Sequence, residues 1–292
     1  MLPLVSILVS DVLPVFAVGG GGYPLARFVG ANLKTVTHIV FYAALPCLVF
    51  RPLTSAPGTG RQHGGMVSLA VLMALSMASV VYTVATAAGL DRVELRAFML
   101  VVMFSNAGNY GLPAVRFAFG GEALAYGAIF FLTGSVLTYT VGAFIAAGAR
   151  GGLREAVMRV AGIPAIYGVI AAAIVIVRPV TLLSDAALPL MLLVLGVQLQ
   201  RATWPAKTGA VGMAVATSLI AAPVIALFLT SALGVPGVAH QAAVTLSAMA
   251  VAVATTIVAL EFELAPAFVT STVFVSTMMS PLTITPLIAY LR

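Results

Sequence analysis

Runs of apolar residues alternate with short polar connections along almost the whole chain. A membrane-spanning helix needs about 20 predominantly apolar residues, and ten runs approach that length. They lie at about 3–24, 33–54, 66–88, 97–119, 123–147, 160–177, 182–200, 209–233, 240–260 and 267–291. The pattern predicts an all-α integral membrane protein with ten transmembrane helices, called spans 1 to 10 below.

Span 4 is interrupted near its middle. Residues Ser105 to Pro113 read SNAGNYGLP, so two asparagines, two glycines and a proline stand between apolar stretches. Proline removes a backbone donor and clashes with the preceding turn, and each glycine weakens a helix. Because lipid cannot hydrogen-bond the freed backbone groups, such a break needs protein or a watery cavity around it. A break of this kind is typical of a substrate site in a secondary transporter.

The side chains and backbone of this break suit a negatively charged ligand. Asn106 and Asn109 are three residues apart, so a helical turn would bring their amides to one face. Residues 110–119 would form a half-helix whose first amides and dipole favour an anion. The alternative is that the amides only bond the backbone gap or a neighbouring helix. We predict that the substrate site includes Asn106, Asn109, Tyr110, Gly111 and Pro113.

The chain contains a weak internal repeat. The string AALP at residues 43–46 recurs at residues 186–189, an offset of 143. This offset predicts two halves, 1–149 and 150–292, with five spans each. Because five is odd, the second half would be inverted in the membrane, as in inverted-repeat transporters. A chance recurrence in an alanine-rich chain is the alternative. Pro46 and Pro189 would be fixed kinks in spans 2 and 7, or else hinges.

The same offset relates the break in span 4 to residues 248–256 of span 9, AMAVAVATT. This segment has no proline or glycine, but its small residues permit a close helix crossing. Thr255 and Thr256 are its polar residues. They would either contact the ligand or bond back to their own helix.

Composition and charge exclude other classes of protein. Hydrophobic residues make up 62% of the chain, charged residues only 8%, and the mean hydropathy is +1.15, which leaves no sizeable domain outside the membrane. The net charge of +6 comes from isolated residues between apolar runs, which do not form a nucleic-acid-binding patch. With the N-terminus outside, nine of the 14 Lys and Arg residues lie in inner connections. The positive-inside rule therefore predicts both termini on the non-cytoplasmic side of the cell (inner or plasma) membrane.

Candidate chemistry beyond the break is sparse. Asp11 is the one acid well inside a predicted span, which makes it the candidate for coupling to H⁺ or Na⁺, although water could reach it in the outer half of span 1. No residue spacing predicts a metal site, and no catalytic motif is present. We therefore expect no enzymatic activity and no cofactor.

Several segments resemble the auxin efflux carrier family. They are VLPVF, VFYAALPCLVF, SNAGNYGLP with FAFGGEALAYGAIFF, AALPLMLLVLGVQL and SAMAVAVATTIVALEFEL, and they are spread over the whole chain. In the last segment the family usually has a proline after Met249, whereas this chain has Ala250. Without that proline, the sequence does not predict whether span 9 is broken.

The resemblance implies a fold related to that of bile acid and sodium symporters. Spans 1, 2, 6 and 7 would form a scaffold, with a homodimer contact, and spans 3–5 and 8–10 a transport unit. Broken spans 4 and 9 would cross at the substrate site, with Asn106, Asn109 and Pro113 on one side and Ala250 on the other. The transport unit would move against the scaffold in an elevator-like manner.

Together, the broken span and the resemblance predict secondary transport of a small organic anion across the lipid bilayer. The substrate would be a mono- or dicarboxylate such as malate or malonate, or an auxin-like acid. A sodium-coupled organic anion symporter is one alternative, and a membrane receptor that binds its ligand without moving it is another.

Overall fold

The computed structural model describes residues 2–30, 32–48, 50, 60–148, 177–200 and 208–292. Almost all of predicted span 6 and the predicted boundary between the two halves lie outside the described residues. Within the described ranges the chain is helical, and one isolated antiparallel bridge is its only β-type pairing.

Thirteen α-helices are described. They are α1 (Leu2–Ile7), α2 (Leu13–Phe28), α3 (Leu33–Ile39), α4 (Gly60–Ala87), α5 (Arg92–Met103), α6 (Leu112–Leu137), α7 (Ala143–Ala147), α8 (Val177–Gln200), α9 (Thr208–Ala216), α10 (Ala222–Ala232), α11 (Gly237–Ser247), α12 (Ala254–Glu261) and α13 (Pro266–Leu291). Short π-helical turns occur at Leu8–Val12, Val40–Ala44, Ala107–Gly111, Thr138–Gly142 and Thr217–Ala221.

Six described helical runs are long and apolar enough to cross a membrane. They are Leu4–Phe28, Gly60–Ala87, Ala107–Ala147, Val180–Gln198, Thr208–Ala232 and Pro266–Leu291. The all-helical membrane architecture is therefore confirmed, whereas the number of ten spans stays a prediction. Predicted span 2 corresponds to a shorter apolar helix, Thr35–Leu48. The run Ala107–Ala147 joins the end of span 4 to span 5, with a kink at Gly120, whose φ of 85° suits glycine.

Both span 4 and span 9 are interrupted. In span 4, α5 ends at Met103 and helical structure resumes at Ala107 with a π turn that continues into α6. In span 9, α11 ends at Ser247 and α12 begins at Ala254. The second interruption occurs although its segment contains no proline, and the physical reason lies in the contacts described in the next subsection.

Glycines bring α2 and α8 into close contact. A Cβ atom on Gly196 of α8 would overlap the carbonyl oxygen of Gly19, and one on Gly22 would overlap the carbonyl oxygen of Leu193. Small residues at a crossing allow two backbones to approach in this way. Predicted spans 1 and 7 are therefore packed directly on each other.

The two prolines that were predicted to be kinks lie within helical backbone. Pro46 is buried and follows the π turn Val40–Ala44, and Pro189 lies in the interior of α8. A widened turn before a proline accommodates the missing donor. Their role as fixed kinks stays a prediction.

Candidate functional site

The two interruptions cross each other as a pair of short extended segments. The backbone N–H of Asn106 donates to the carbonyl of Ala250 at 2.6 Å, and that of Ala252 donates to the carbonyl of Phe104 at 2.9 Å. Ser105 and Val251 lie opposite each other in an antiparallel bridge. Each break thus supplies the partners that the other lost when its helix ended. Lipid could not provide them, so this crossing is what makes both interruptions stable in a membrane.

The first break returns to helix through a tight turn. The Ala107 N–H donates to the carbonyl of Ser105 at 2.8 Å, and the Gly111 N–H donates to the carbonyl of Asn106 at 2.9 Å. Pro113 follows the π turn Ala107–Gly111 in the run that continues into α6, and the widened turn accommodates its missing N–H. A Cβ on Gly111 would come within 2.6 Å of Leu246 Cδ2 in α11. The glycine here allows the two interrupted spans to pack closely.

A cavity of about 90 Å³ lies beside the crossing. Its polar lining includes Ser105, Asn106, Asn109, Ser135, Thr138 and Ser218. Its apolar lining includes Met73, Met77, Phe104, Phe130, Phe131 and Val253. A water molecule occupies roughly 30 Å³ in the liquid, so the cavity has room for a few waters or for a ligand of a few heavy atoms.

Two asparagines are part of the cavity lining. Both side chains are buried, with 4% of Asn106 and 6% of Asn109 exposed. Within the described part of the chain, Asn106 Nδ2 and Asn109 Oδ1 have no hydrogen-bond partner. A buried polar atom left unpaired costs about 1–3 kcal/mol. Since turning an amide by half a turn exchanges its donor and acceptor, both side chains can offer N–H groups to a ligand.

The backbone of the same turn adds further donors. Gly108 and Asn109 begin the helical run that leads into α6, and both line the cavity. The first amides of a helix have no intrahelical acceptor, and they lie at the positive end of its dipole. This part of the cavity wall would therefore stabilise a negatively charged group of a ligand.

The other predicted site residues lie elsewhere. Tyr110 packs edge-on against Phe16, with ring centroids 5.6 Å apart, and its hydroxyl shares a hydrogen bond of 3.1 Å with Ser280. The Thr255 hydroxyl donates to the carbonyl of Ala252 at 2.6 Å, within its own segment. These residues are outside the cavity lining, as are Gly111, Pro113, Ala250 and Thr256. Substrate contact by any of them stays a prediction.

Sequence reasoning missed the walls of the cavity. Met73 and Met77 lie one turn apart on α4, and Ser135 lies one turn before Thr138 near the end of α6. In the sequence these residues look like ordinary parts of apolar spans. The i, i+3 spacing of the two hydroxyls was the available signal, because hydroxyls at that spacing share one face of a helix.

Asp11 is buried in the π turn Leu8–Val12, outside the cavity lining. Its Oδ2 lies 2.6 Å from Arg292 Nη2, so the two groups form an ion pair. The pair does not have the geometry of a hydrogen bond. The Arg292 guanidinium also donates to the carbonyl of Ala118 at 3.1 Å. An opposite charge at this distance offsets part of the cost of burying the carboxylate. The structure thus gives Asp11 a charged partner at the end of α13.

Long apolar runs, with two spans interrupted where they cross beside a cavity that two asparagines line, define a multi-pass membrane protein with an internal site. A family model described as "Membrane transport protein" matches residues 7–162 and 160–288. The chain belongs to this family, that of the auxin efflux carriers.

A relative from Methanothermobacter thermautotrophicus, described as an uncharacterized transporter, is similar to this chain over nearly its full length. It is 24% identical over 288 residues, which cover 95% of this chain and 92% of the relative. The family and this relative both identify the chain as a membrane transporter rather than an enzyme.

Proposed function

We propose that the protein is a secondary transporter of a small organic anion, a mono- or dicarboxylate such as malate or malonate or an auxin-like acid. The observation that carries this proposal is a pair of buried asparagines, each with one unpartnered amide atom, that line a cavity beside the crossed breaks. A carboxylate would accept from the unpaired Asn106 Nδ2, and also from Asn109 once its amide has turned by half a turn. The helix start at Gly108 and Asn109 would stabilise its charge.

The size of the cavity favours the smaller members of this class. A volume of about 90 Å³ is well below the roughly 300–1,000 Å³ of sites for drug-sized ligands. Its apolar wall, which includes Met77 and Phe131, would contact the carbon chain of the substrate. An auxin-like aromatic acid would require the cavity to widen, so we expect a lower affinity for it than for a short-chain acid.

Alternating access would arise from an elevator-like movement of one part of the chain against the other. In this proposal, spans 3–5 and 8–10 carry the crossed breaks, and spans 1, 2, 6 and 7 form the scaffold and a homodimer contact. The halves 1–149 and 150–292 would be inverted repeats. The positions of the breaks support this, because shifting Met103 by the offset of 143 gives Leu246, and α11 ends one residue later.

We propose that both termini lie on the non-cytoplasmic side of the cell membrane, in line with the distribution of Lys and Arg. Whatever the orientation of the chain, expulsion of an anion from a negative interior is favourable by about 2.3 kcal/mol per charge per 100 mV. An exporter would need no coupling ion.

Flux in proteoliposomes tests the proposal. Labelled malonate, malate and an indole acid would be offered with and without an imposed potential, in a series of pH values and sodium concentrations. We expect saturable, potential-dependent flux of a short-chain acid. Strict sodium dependence would instead identify a symporter, and saturable binding without accumulation would identify a receptor.

A further inference from the structure

Two serines of α13 each contact one of the two crossed breaks. Ser276 and Ser280 are separated by one helical turn, and both are fully buried. The Val251 N–H in the second break donates to Ser276 Oγ at 3.1 Å. Ser280 Oγ shares its 3.1 Å hydrogen bond with the hydroxyl of Tyr110 in the first break. One face of one helix is therefore bonded to both interrupted spans.

The bridge geometry explains why Val251 needs this partner. Ala250 and Ala252 direct their backbone groups to Asn106 and Phe104, on one side of the extended segment. Val251, the residue between them, is the non-hydrogen-bonded member of the bridge, so its N–H points to the opposite side. That side is occupied by α13. Without the Ser276 hydroxyl, a fully buried backbone donor would lose its acceptor there.

The Ser276 contact also opposes the alternative conformation of this segment. Residues 248–253 read AMAVAV, which could continue α11 as an unbroken helix. In such a helix the Val251 N–H would bond to the carbonyl of Ser247, four residues earlier. A proline in this segment would prevent it, but this chain has Ala250. Ser276 stabilises the broken conformation because it binds the same N–H only when the helix is open.

We propose that Ser276 and Ser280 are positioning residues that fix the two breaks relative to each other, and that Ser276 keeps span 9 open in a segment that contains no proline. Neither serine lines the cavity, so both act through the backbone of 250–252 and through Tyr110. The expected effect of these serines on substrate affinity rests on the proposed transport function. Their expected effect on the backbone conformation of the two breaks does not depend on transport.

The first test removes the hydroxyl of Ser276. In Ser276→Ala the apparent KM for malonate flux should rise on the order of tenfold with little change in maximal rate, because a buried donor loses its partner. Hydrogen–deuterium exchange of the peptide covering 104–112 should become faster, because the Asn106 N–H loses the carbonyl of Ala250 when span 9 winds into a helix. The matched control is Thr277→Val, since the Thr277 hydroxyl bonds to Val273 of its own helix.

A second substitution tests whether Ser276 acts by keeping span 9 open. A proline at position 250 would end the helix at the same place, and among the described residues the Ala250 N–H donates no hydrogen bond that proline would remove. The double variant Ser276→Ala with Ala250→Pro should therefore regain slow exchange and a low KM. Wild-type exchange and KM in Ser276→Ala, or the same changes in Thr277→Val, would overturn the proposal.

The link to the first break supplies an independent test. Ser280→Ala and Tyr110→Phe each remove one partner of the same hydrogen bond, so the double variant should be no more affected than either single variant. Additive effects on exchange in the peptide covering 104–112 would contradict this part of the inference. Exchange needs no substrate, so loss of protection in Ser276→Ala would support the positioning role even if the wild type moved none of the acids offered.

Discussion

The backbone conformation of the first break determines the environment of Asn106 and Asn109. The turn after Phe104 buries both amides and leaves an Nδ2 and an Oδ1 without partners in the described structure. The residue types and their spacing were sufficient to predict both as site residues. That Met73, Met77 and Phe131 line the same cavity was not predictable, because apolar wall residues carry no signal that distinguishes them from lipid-facing ones.

Substitutions that remove an amide or add a negative charge test whether these two residues bind a carboxylate. Asn106→Ala or Asn109→Ala should lower the affinity for a carboxylate by roughly tenfold to a hundredfold, the range for a lost hydrogen bond to a charged group. Asn109→Asp should lower it further at neutral pH, because a second negative charge would face the substrate. Competition binding with labelled malonate measures both changes.

The control for that series is Thr230→Val. Thr230 is fully buried, and its hydroxyl donates to Ala226 within its own helix, away from the cavity. Equal loss of binding in Thr230→Val would show that the asparagine variants act through folding and not through the ligand.

At the scale of helices, the two breaks differ in how far the sequence specifies them. In span 4, the cluster of asparagines, glycines and a proline made the break predictable, although Gly108, Gly111 and Pro113 lie in the π turn and helix that follow it. In span 9, the segment from Ala248 to Val253 has no such residue. The cause of its break is tertiary: the backbone of Phe104 and Asn106 on one side, and Ser276 on the other. No local pattern contains that information.

The contact between α2 and α8 gives a prediction at the same scale. Gly196→Ala would force the two backbones apart, so it should destabilise the protein by about 1–3 kcal/mol, the usual cost of overpacking. Gly20→Ala is the matched control on α2, because nothing lies within 4 Å of a Cβ at Gly20. Thermal unfolding in detergent should show a lower midpoint for Gly196→Ala only. A lower midpoint for both would contradict the close crossing.

For the molecule as a whole, the apolar pattern predicted a helical membrane protein of ten spans, and each described helical run can be judged by whether it is long and apolar enough to cross a membrane. Six described runs meet that criterion. Spans 4 and 9 do not appear as single helices because each is divided at the crossing. Span 6 falls almost entirely outside the described residues, so the ten-span arrangement and the inverted repeat stay predictions.

The ion pair of Asp11 and Arg292 connects the first predicted span to the last. If the pair is structural, Asp11→Asn and Arg292→Gln should lower the unfolding midpoint by similar amounts, by roughly 2–4 °C for each kcal/mol lost. The dependence of flux on pH and sodium should then be unchanged in both. Loss of that dependence in Asp11→Asn alone would show that Asp11 couples transport to an ion.

The central claim is that the side-chain amides of the first break bind the substrate carboxylate. The chain has three asparagines, Asn32, Asn106 and Asn109, so side-chain ¹⁵N labelling of asparagine gives few signals. Solid-state NMR with ¹³C-carboxyl malonate in proteoliposomes would measure the carboxyl-to-amide distance. We predict ¹³C–¹⁵N coupling to Asn106 and Asn109 at about 4 Å or less, near hydrogen-bond contact, with Asn32 as the internal control. Saturable malonate flux without that coupling would contradict the account.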